Sequence, residues 1–181
     1  MAERPRILLL HGYGQTVETF QKKSESIRKS LGKAYDLIYL EGPHSVINLK
    51  GEAGRAWWTF EGDFFTTPTY KGVEESIELV REQLPFDGIV GFSQGAAFAA
   101  LLCSIFPVKF TFIIGGYPVS DMKYQHYDRI TGKTIHIYGE NDEIVLPTRS
   151  RQLHDLCSGE KQLISHSGRH VVPKLKYLSL I

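Results

Sequence analysis

Apolar residues gather in short runs at 7–10, 37–40, 88–91, 110–114, 134–138 and 162–165. Runs of this length suit strands buried in a sheet. Several are separated by stretches whose apolar residues recur at helical spacing. Within 73–84, Val73, Ile77, Val80 and Leu84 share one face; 20–31 shows the same period; 96–106 is apolar nearly all round, as a buried helix would be. Strands alternating with helices predict a doubly wound, mostly parallel sheet with helices on both faces, because parallel neighbours need helical crossovers. Pro85 and Pro107 read as helix stops. No repeat or shift of composition marks a linker, so residues 1–181 read as a single domain.

Residues 41–70 break this rhythm. They carry no clear period, yet hold Trp57, Trp58, Phe60, Phe64 and Phe65, too aromatic for a disordered linker. Long irregular segments in compact domains tend to be functional. The stretch therefore reads as a lid or pocket wall, with a packed excursion over the core as the plainer alternative.

With 42% hydrophobic residues the chain can bury one substantial core. Twenty-one Lys and Arg against 20 Asp and Glu leave no strong field of either sign, which argues against nucleic acid or an anionic membrane as partner. Two cysteines, Cys103 and Cys157, are too few for a disulfide framework and lack zinc or redox spacing. The run at 7–10 is far shorter than a signal-peptide core or a membrane span. These features predict a soluble, cytoplasmic protein with no membrane insertion.

Candidate chemistry centres on Gly91-Phe92-Ser93-Gln94-Gly95, which has an apolar strand before it and a helix opening with Ala96 and Ala97 after it. This is the context a G-x-S-x-G nucleophile elbow requires: a sharp strand-to-helix turn, with glycines that let neighbouring backbone pass. The plainer reading is a tight turn that contains a serine. A serine hydroxyl is a poor nucleophile without a positioned base and an acid that orients the base, expected in the chain order Ser, Asp or Glu, His.

Asp142, in the loop after the strand ending near Tyr138, lies where the carboxyl edge of a sheet assembles such sites. Glu140 and Glu143 compete in the same loop, and Asp121 is a third rival. His170 follows the last strand and is expected to open a terminal helix, with His166 as its competitor; His136, inside a strand, reads as structural. The loop His11-Gly12-Tyr13-Gly14-Gln15 can present the Tyr13 amide beside that of Gln94 as oxyanion donors, each worth about 3 kcal/mol in a transition state. Without G-x-G-x-x-G or a P-loop lysine, the loop is a weak candidate for cradling phosphate in a flavodoxin-like cofactor binder. Trp57 and Trp58 are candidates for an acyl pocket or for plain core packing, and Cys103 reads as a small core residue.

Over nearly its whole length the chain resembles the small family of serine hydrolases that includes the fungal FSH proteins and the ovarian-cancer-associated candidate hydrolase. The matching motifs are Leu10 to Gln15, Leu40-Glu41-Gly42-Pro43-His44, Arg55-Ala56-Trp57-Trp58, Gly72-Val73-Glu74-Glu75-Ser76, the segment from Phe86 to Ala97, the loop around Asp142-Glu143-Ile144-Val145, and His166-Ser167-Gly168-Arg169-His170. The resemblance implies Ser93 as nucleophile, Asp142 as acid and His170 as base. It also implies a compact α/β-hydrolase fold with sheet order 2-1-3-4-5-6. The implied activity is hydrolysis of carboxylic esters, with a small-molecule ester or thioester as substrate and no metal or organic cofactor. A non-catalytic binding protein on the same fold is the rival from another class. Where the family histidine is commonly preceded by glycine, Arg169 stands here, a cation that could contact an acidic substrate or alter the base. The residues beyond His170 leave room for only a short last helix.

Overall fold

The computed structural model describes residues 3–174. In chain order the strands are β1 (Arg6–Leu10), β2 (Asp36–Leu40), β3 (His44–Ile47), β4 (Ala53–Ala56), β5 (Gly88–Phe92), β6 (Phe110–Ile114), β7 (Lys133–Gly139) and β8 (Lys161–His166). The helices are α1 (Val17–Lys23), α2 (Glu25–Leu31), α3 (Val73–Arg81), α4 (Gln94–Cys103) and α5 (Pro147–Leu156). Six strands form one sheet in the order β2-β1-β5-β6-β7-β8, every neighbouring pair parallel. Counting those six alone, this is the order 2-1-3-4-5-6 of a doubly wound α/β-hydrolase sheet.

Alternation along the central strands divides the core in two. Ile7 and Leu9 of β1 join Phe20, Ile27 and Leu31 from α1 and α2 on one face. Leu8 and Leu10 join α4, Val73, Ile77 and Val80 of α3, and Leu153 of α5 on the other. Each fully buried Leu or Ile contributes about 1.5–3 kcal/mol relative to exposure, so this two-sided burial fixes the strand order and register more firmly than any polar contact. Every residue of α4 is buried, and its run of Gly95, Ala96, Ala97, Ala99 and Ala100 lets the helix lie close against the sheet.

Three helical expectations are corrected. The segment 20–31 is two helices, because the Ser24 hydroxyl and amide both donate to Phe20 O, at 2.7 and 2.8 Å, and close α1 there. Leu84 lies beyond the end of α3 and is exposed: Pro85 disfavours helical backbone at the residue before it. Residues 171–174 are not helical, and the rest of the expected terminal helix falls outside the described residues.

The irregular stretch 41–70 contains an antiparallel hairpin, β3 paired with β4. Its anchor is the loop after β1: Gly14 N–H donates to Arg55 O at 2.8 Å and Arg55 N–H to Gln15 O at 3.0 Å. No helix among the described residues is long and apolar enough to cross a membrane.

Candidate active site

Ser93 sits between β5 and α4 with φ 56° and ψ −118°, the one non-glycine residue at positive φ among the described residues. Such backbone costs on the order of 1–3 kcal/mol and persists only where its surroundings enforce it. Here Ser93 N–H donates to Ile114 O at 2.9 Å, and Ser93 O caps α4 by accepting from the Ala96 and Ala97 amides at 2.9 and 3.0 Å. The flanking glycines permit the turn. A Cβ on Gly91 would stand 2.2 Å from Gly95 O, and one on Gly95 would stand 2.2 Å from Leu10 O.

At the carboxyl end of β7, Asp142 is buried. Its Oδ1 accepts from the Ile144 and Val145 amides, each at 2.9 Å, and its Oδ2 lies 2.6 Å from His170 Nδ1. His170, past the end of β8, rests its ring on Phe92 at 4.8 Å between centroids and brings Nε2 within 2.9 Å of Ser93 Oγ. A carboxylate only accepts, so Nδ1 carries the imidazole proton and Nε2 is left to accept from the serine hydroxyl. Ser93, His170 and Asp142 are thus brought into one hydrogen-bonded chain from three separate loops.

The rival groups lie elsewhere. Glu140 accepts from the Ser165 hydroxyl at 2.7 Å, Glu143 is exposed beside Arg169 at 3.6 Å, and Asp121 accepts from the Tyr70 and Lys123 amides. His166 accepts from the Gly168 amide, and burial lowers its pKa. Burial pushes the Cys103 thiol, at the end of α4, up to about 12, and its Sγ lies 2.8 Å from Thr111 Oγ1 of β6.

Among the described residues the Tyr13 and Gln94 backbone amides have no protein acceptor, unusual for groups in so packed a region. Gln94 is the first residue of α4, where amides point outward along the helix axis and favour negative charge. Its side chain has a separate task that the motif alone did not reveal. Gln94 Oε1 accepts from Trp57 N–H at 2.9 Å and Nε2 donates to Trp58 O at 3.0 Å, fastening the irregular segment to the elbow.

The placing of Trp57 and Trp58 runs against the pocket-lining expectation: their exposures are 0% and 1%. Trp57 stacks on Phe98 and Trp58 on Tyr70, inside the core. Their size favours this, since rings so large stabilise most when wholly desolvated. The half-buried aromatics beside the β1 loop are instead Tyr13, Phe60 and Phe64, with ring centroids 4.9–5.8 Å apart. Phe65 extends the group and carries the Arg149 guanidinium over its ring. Among the described residues no group of three or more His, Cys, Asp or Glu is arranged to hold a metal ion.

Comparison with known proteins places the chain in a family. The family described as Serine hydrolase (FSH1) matches residues 1–179. The chain is similar to Esterase OVCA2 of Bos taurus, at 33% identity over 96% of this chain and 92% of that protein. It is likewise similar to Esterase OVCA2 of Homo sapiens, at 31% identity over 95% and 91%. Among solved structures, Arabidopsis thaliana SOBER1 superposes with a TM-score of 0.75 at 17% identity, covering 98% of this chain and 97% of that one. Zea mays acyl-protein thioesterase 2 also gives 0.75 at 17% identity, covering 99% and 92%.

Proposed function

The chain belongs to the FSH1 family of serine hydrolases, and on that premise we propose that it cleaves carboxylic esters of acyl groups through Ser93, His170 and Asp142. The observation that carries this reading is the relay itself, 2.9 Å from serine to imidazole and 2.6 Å from imidazole to carboxylate, converging on a residue held at positive φ.

Ser93 Oγ attacks the ester carbonyl as its proton passes to His170 Nε2, and Asp142 stabilises the imidazolium and holds its tautomer. The Tyr13 and Gln94 amides receive the oxyanion. The tetrahedral species collapses, His170 gives its proton to the departing alcohol, and an acyl-enzyme remains. A water that surrenders its proton to the same His170 then releases the acid and restores Ser93. The half-buried rings of Tyr13, Phe60 and Phe64 offer an apolar surface for the acyl chain.

A fluorophosphonate probe and a panel of p-nitrophenyl esters test the reading. Wild type should label at Ser93 and turn over, and S93A should do neither, with kcat lower by about 10⁴-fold or more. A folded wild type that resists the probe, or an S93A variant that labels as well, would overturn it in favour of a binding protein without turnover. Acyl-CoA substrates run alongside establish whether thioesters are taken in preference to oxygen esters.

A further inference from the structure

His11 is wholly buried beside the proposed oxyanion loop, takes no part in the relay, and has both ring nitrogens engaged. Nε2 lies 2.9 Å from the Gly42 amide and Nδ1 lies 2.8 Å from Gly12 O. A backbone amide can only donate and a carbonyl can only accept, so both contacts are satisfied in one state alone: neutral imidazole, with its proton on Nδ1. Burial favours that neutral form and lowers the pKa of the ring, the bond to Gly12 O and the charge of Glu41 opposing and Arg55 reinforcing the effect.

The Gly12 carbonyl belongs to the same planar peptide as the Tyr13 amide, and in a trans peptide the two point in opposite directions. Holding Gly12 O toward the His11 ring therefore turns Tyr13 N–H away from it. Gly12 itself lies against the elbow, since a Cβ there would stand 3.2 Å from Ser93 Cβ. The rest of the loop is tied down as well: Gly12 O also accepts from Gln15 N–H at a longer 3.2 Å, Gly12 N–H donates to Gln15 Oε1 at 2.8 Å, and Trp57 Nε1 donates to His11 O at 2.8 Å. We propose that His11 is a positioning residue for the oxyanion hole, its Nδ1–H fixing the Gly12–Tyr13 peptide plane so that the Tyr13 amide faces the reacting carbonyl. This rests on the reading of Ser93 as nucleophile and Tyr13 as oxyanion donor.

Two substitutions separate the bonds. Asn overlays Nδ1 and can still donate to Gly12 O, whereas Gln overlays Nε2 and can accept from Gly42 but leaves Gly12 O only the longer bond from the Gln15 amide, at 3.2 Å. H11Q should lose about 10- to 100-fold in kcat with KM changed by less than about 3-fold, because the missing contact matters where charge develops. H11N should stay within about 5-fold of wild type. Equal loss in the two variants, or loss in KM alone, would overturn the proposal. ¹⁵N shifts of the imidazole, read on the folded wild type, supply a test independent of turnover: Nδ1 protonated and Nε2 bare supports it, and the opposite tautomer sinks it even if neither variant folds. Failure of the hydrolase reading shows separately, as a wild type that does not label at Ser93.

Discussion

The middle of β7 and the loops at the sheet's carboxyl edge hold histidines in opposite circumstances. His136, within β7, is 1% exposed, with Nε2 3.2 Å from Thr134 Oγ1, Nδ1 unpartnered among the described residues, and the His154 ring 5.2 Å away. Its burial, helped by His154 and Lys161 and opposed by Asp155, pushes its pKa down to about 3. His170 keeps 16% of its side chain exposed, and each nitrogen has a partner with a defined role, a carboxylate on one side and a hydroxyl on the other. Desolvation without a charge partner yields a ring that stays neutral and has nothing to exchange a proton with. A ring with a buried carboxylate behind it and an open face in front can take a proton and return it. The sheet's interior makes the first environment, and only its edge, where three loops meet, makes the second.

The sharpest way to break this contrast is to remove the carboxylate. D142N leaves the shape of the edge intact but offers His170 an amide that can donate to Nδ1, favouring the wrong tautomer, so kcat should fall by about 10³- to 10⁴-fold in steady-state assays on a p-nitrophenyl ester. An activity within 10-fold of wild type would mean that His170 is no better prepared than His136. The interior histidine should respond in the converse sense. H136L should leave kcat within about 2-fold and alter stability instead. Below its ordinary pKa of 6.5 His136 gains a proton only in the unfolded chain, so wild-type stability should fall with pH from 6.5 toward 3, with a slope from this group approaching about 1.4 kcal/mol per pH unit. Urea titrations at pH 7, 6 and 5 should show H136L losing less than wild type, and parallel curves would refute the assignment. His11 and His166, whose pKa values are also lowered, leave a residual slope of the same sign.

The interior was legible in the sequence and much of the edge was not, for related reasons. Buried parallel strands announce themselves locally, since the four inner ones, β1, β5, β6 and β7, are apolar on both faces; the edge strands β2 and β8 are only partly buried, yet their short apolar runs still lie within two residues of the observed bounds. The hairpin β3–β4 left no such signal. Ala53-Gly54-Arg55-Ala56 is poor strand sequence, and it pairs there because its backbone meets Gly14 and Gln15, some 40 positions away in the chain. Helix α5 leaves no readable period, because it buries only Ser150 and Leu153. At the site, the glycines around Ser93 mark the elbow, whereas loop position puts Asp142 first without excluding Glu140, Glu143 or Asp121, and the resemblance settles the choice. What separates them in three dimensions is the pair of amides from Ile144 and Val145 that turn Asp142 inward, and no residue type encodes those.

The strain at Ser93 tests the contrast from the backbone. The β7 interior has ordinary extended geometry, while the elbow holds a residue with a Cβ at φ 56°. Comparing S93G with S93A removes the hydroxyl from both and varies only the Cβ. S93G should be the more stable by about 1 kcal/mol, with a melting temperature about 2–4 °C higher, even though glycine costs conformational entropy at ordinary positions. Equal melting temperatures, read by calorimetry, would show that the turn carries no strain for its function to depend on.

The smallest effect is expected at Arg169, next to the proposed base. Its guanidinium lies 3.6 Å from Glu143, and both side chains are about three-quarters exposed, so the pair is screened by water and salt and contributes little to stability. R169A should leave the melting temperature within about 1 °C and kcat for a neutral p-nitrophenyl ester within about 2-fold. The informative measurement is KM for an ester bearing a carboxylate on its alcohol or acyl part, compared between R169A and wild type at low and high salt. A rise in KM for the anionic ester alone, diminishing with salt, would give Arg169 a substrate contact at the rim. A fall in kcat for both esters would instead mean that Arg169 supports His170 directly, making the edge more tightly coupled than the relay of Ser93, His170 and Asp142 requires.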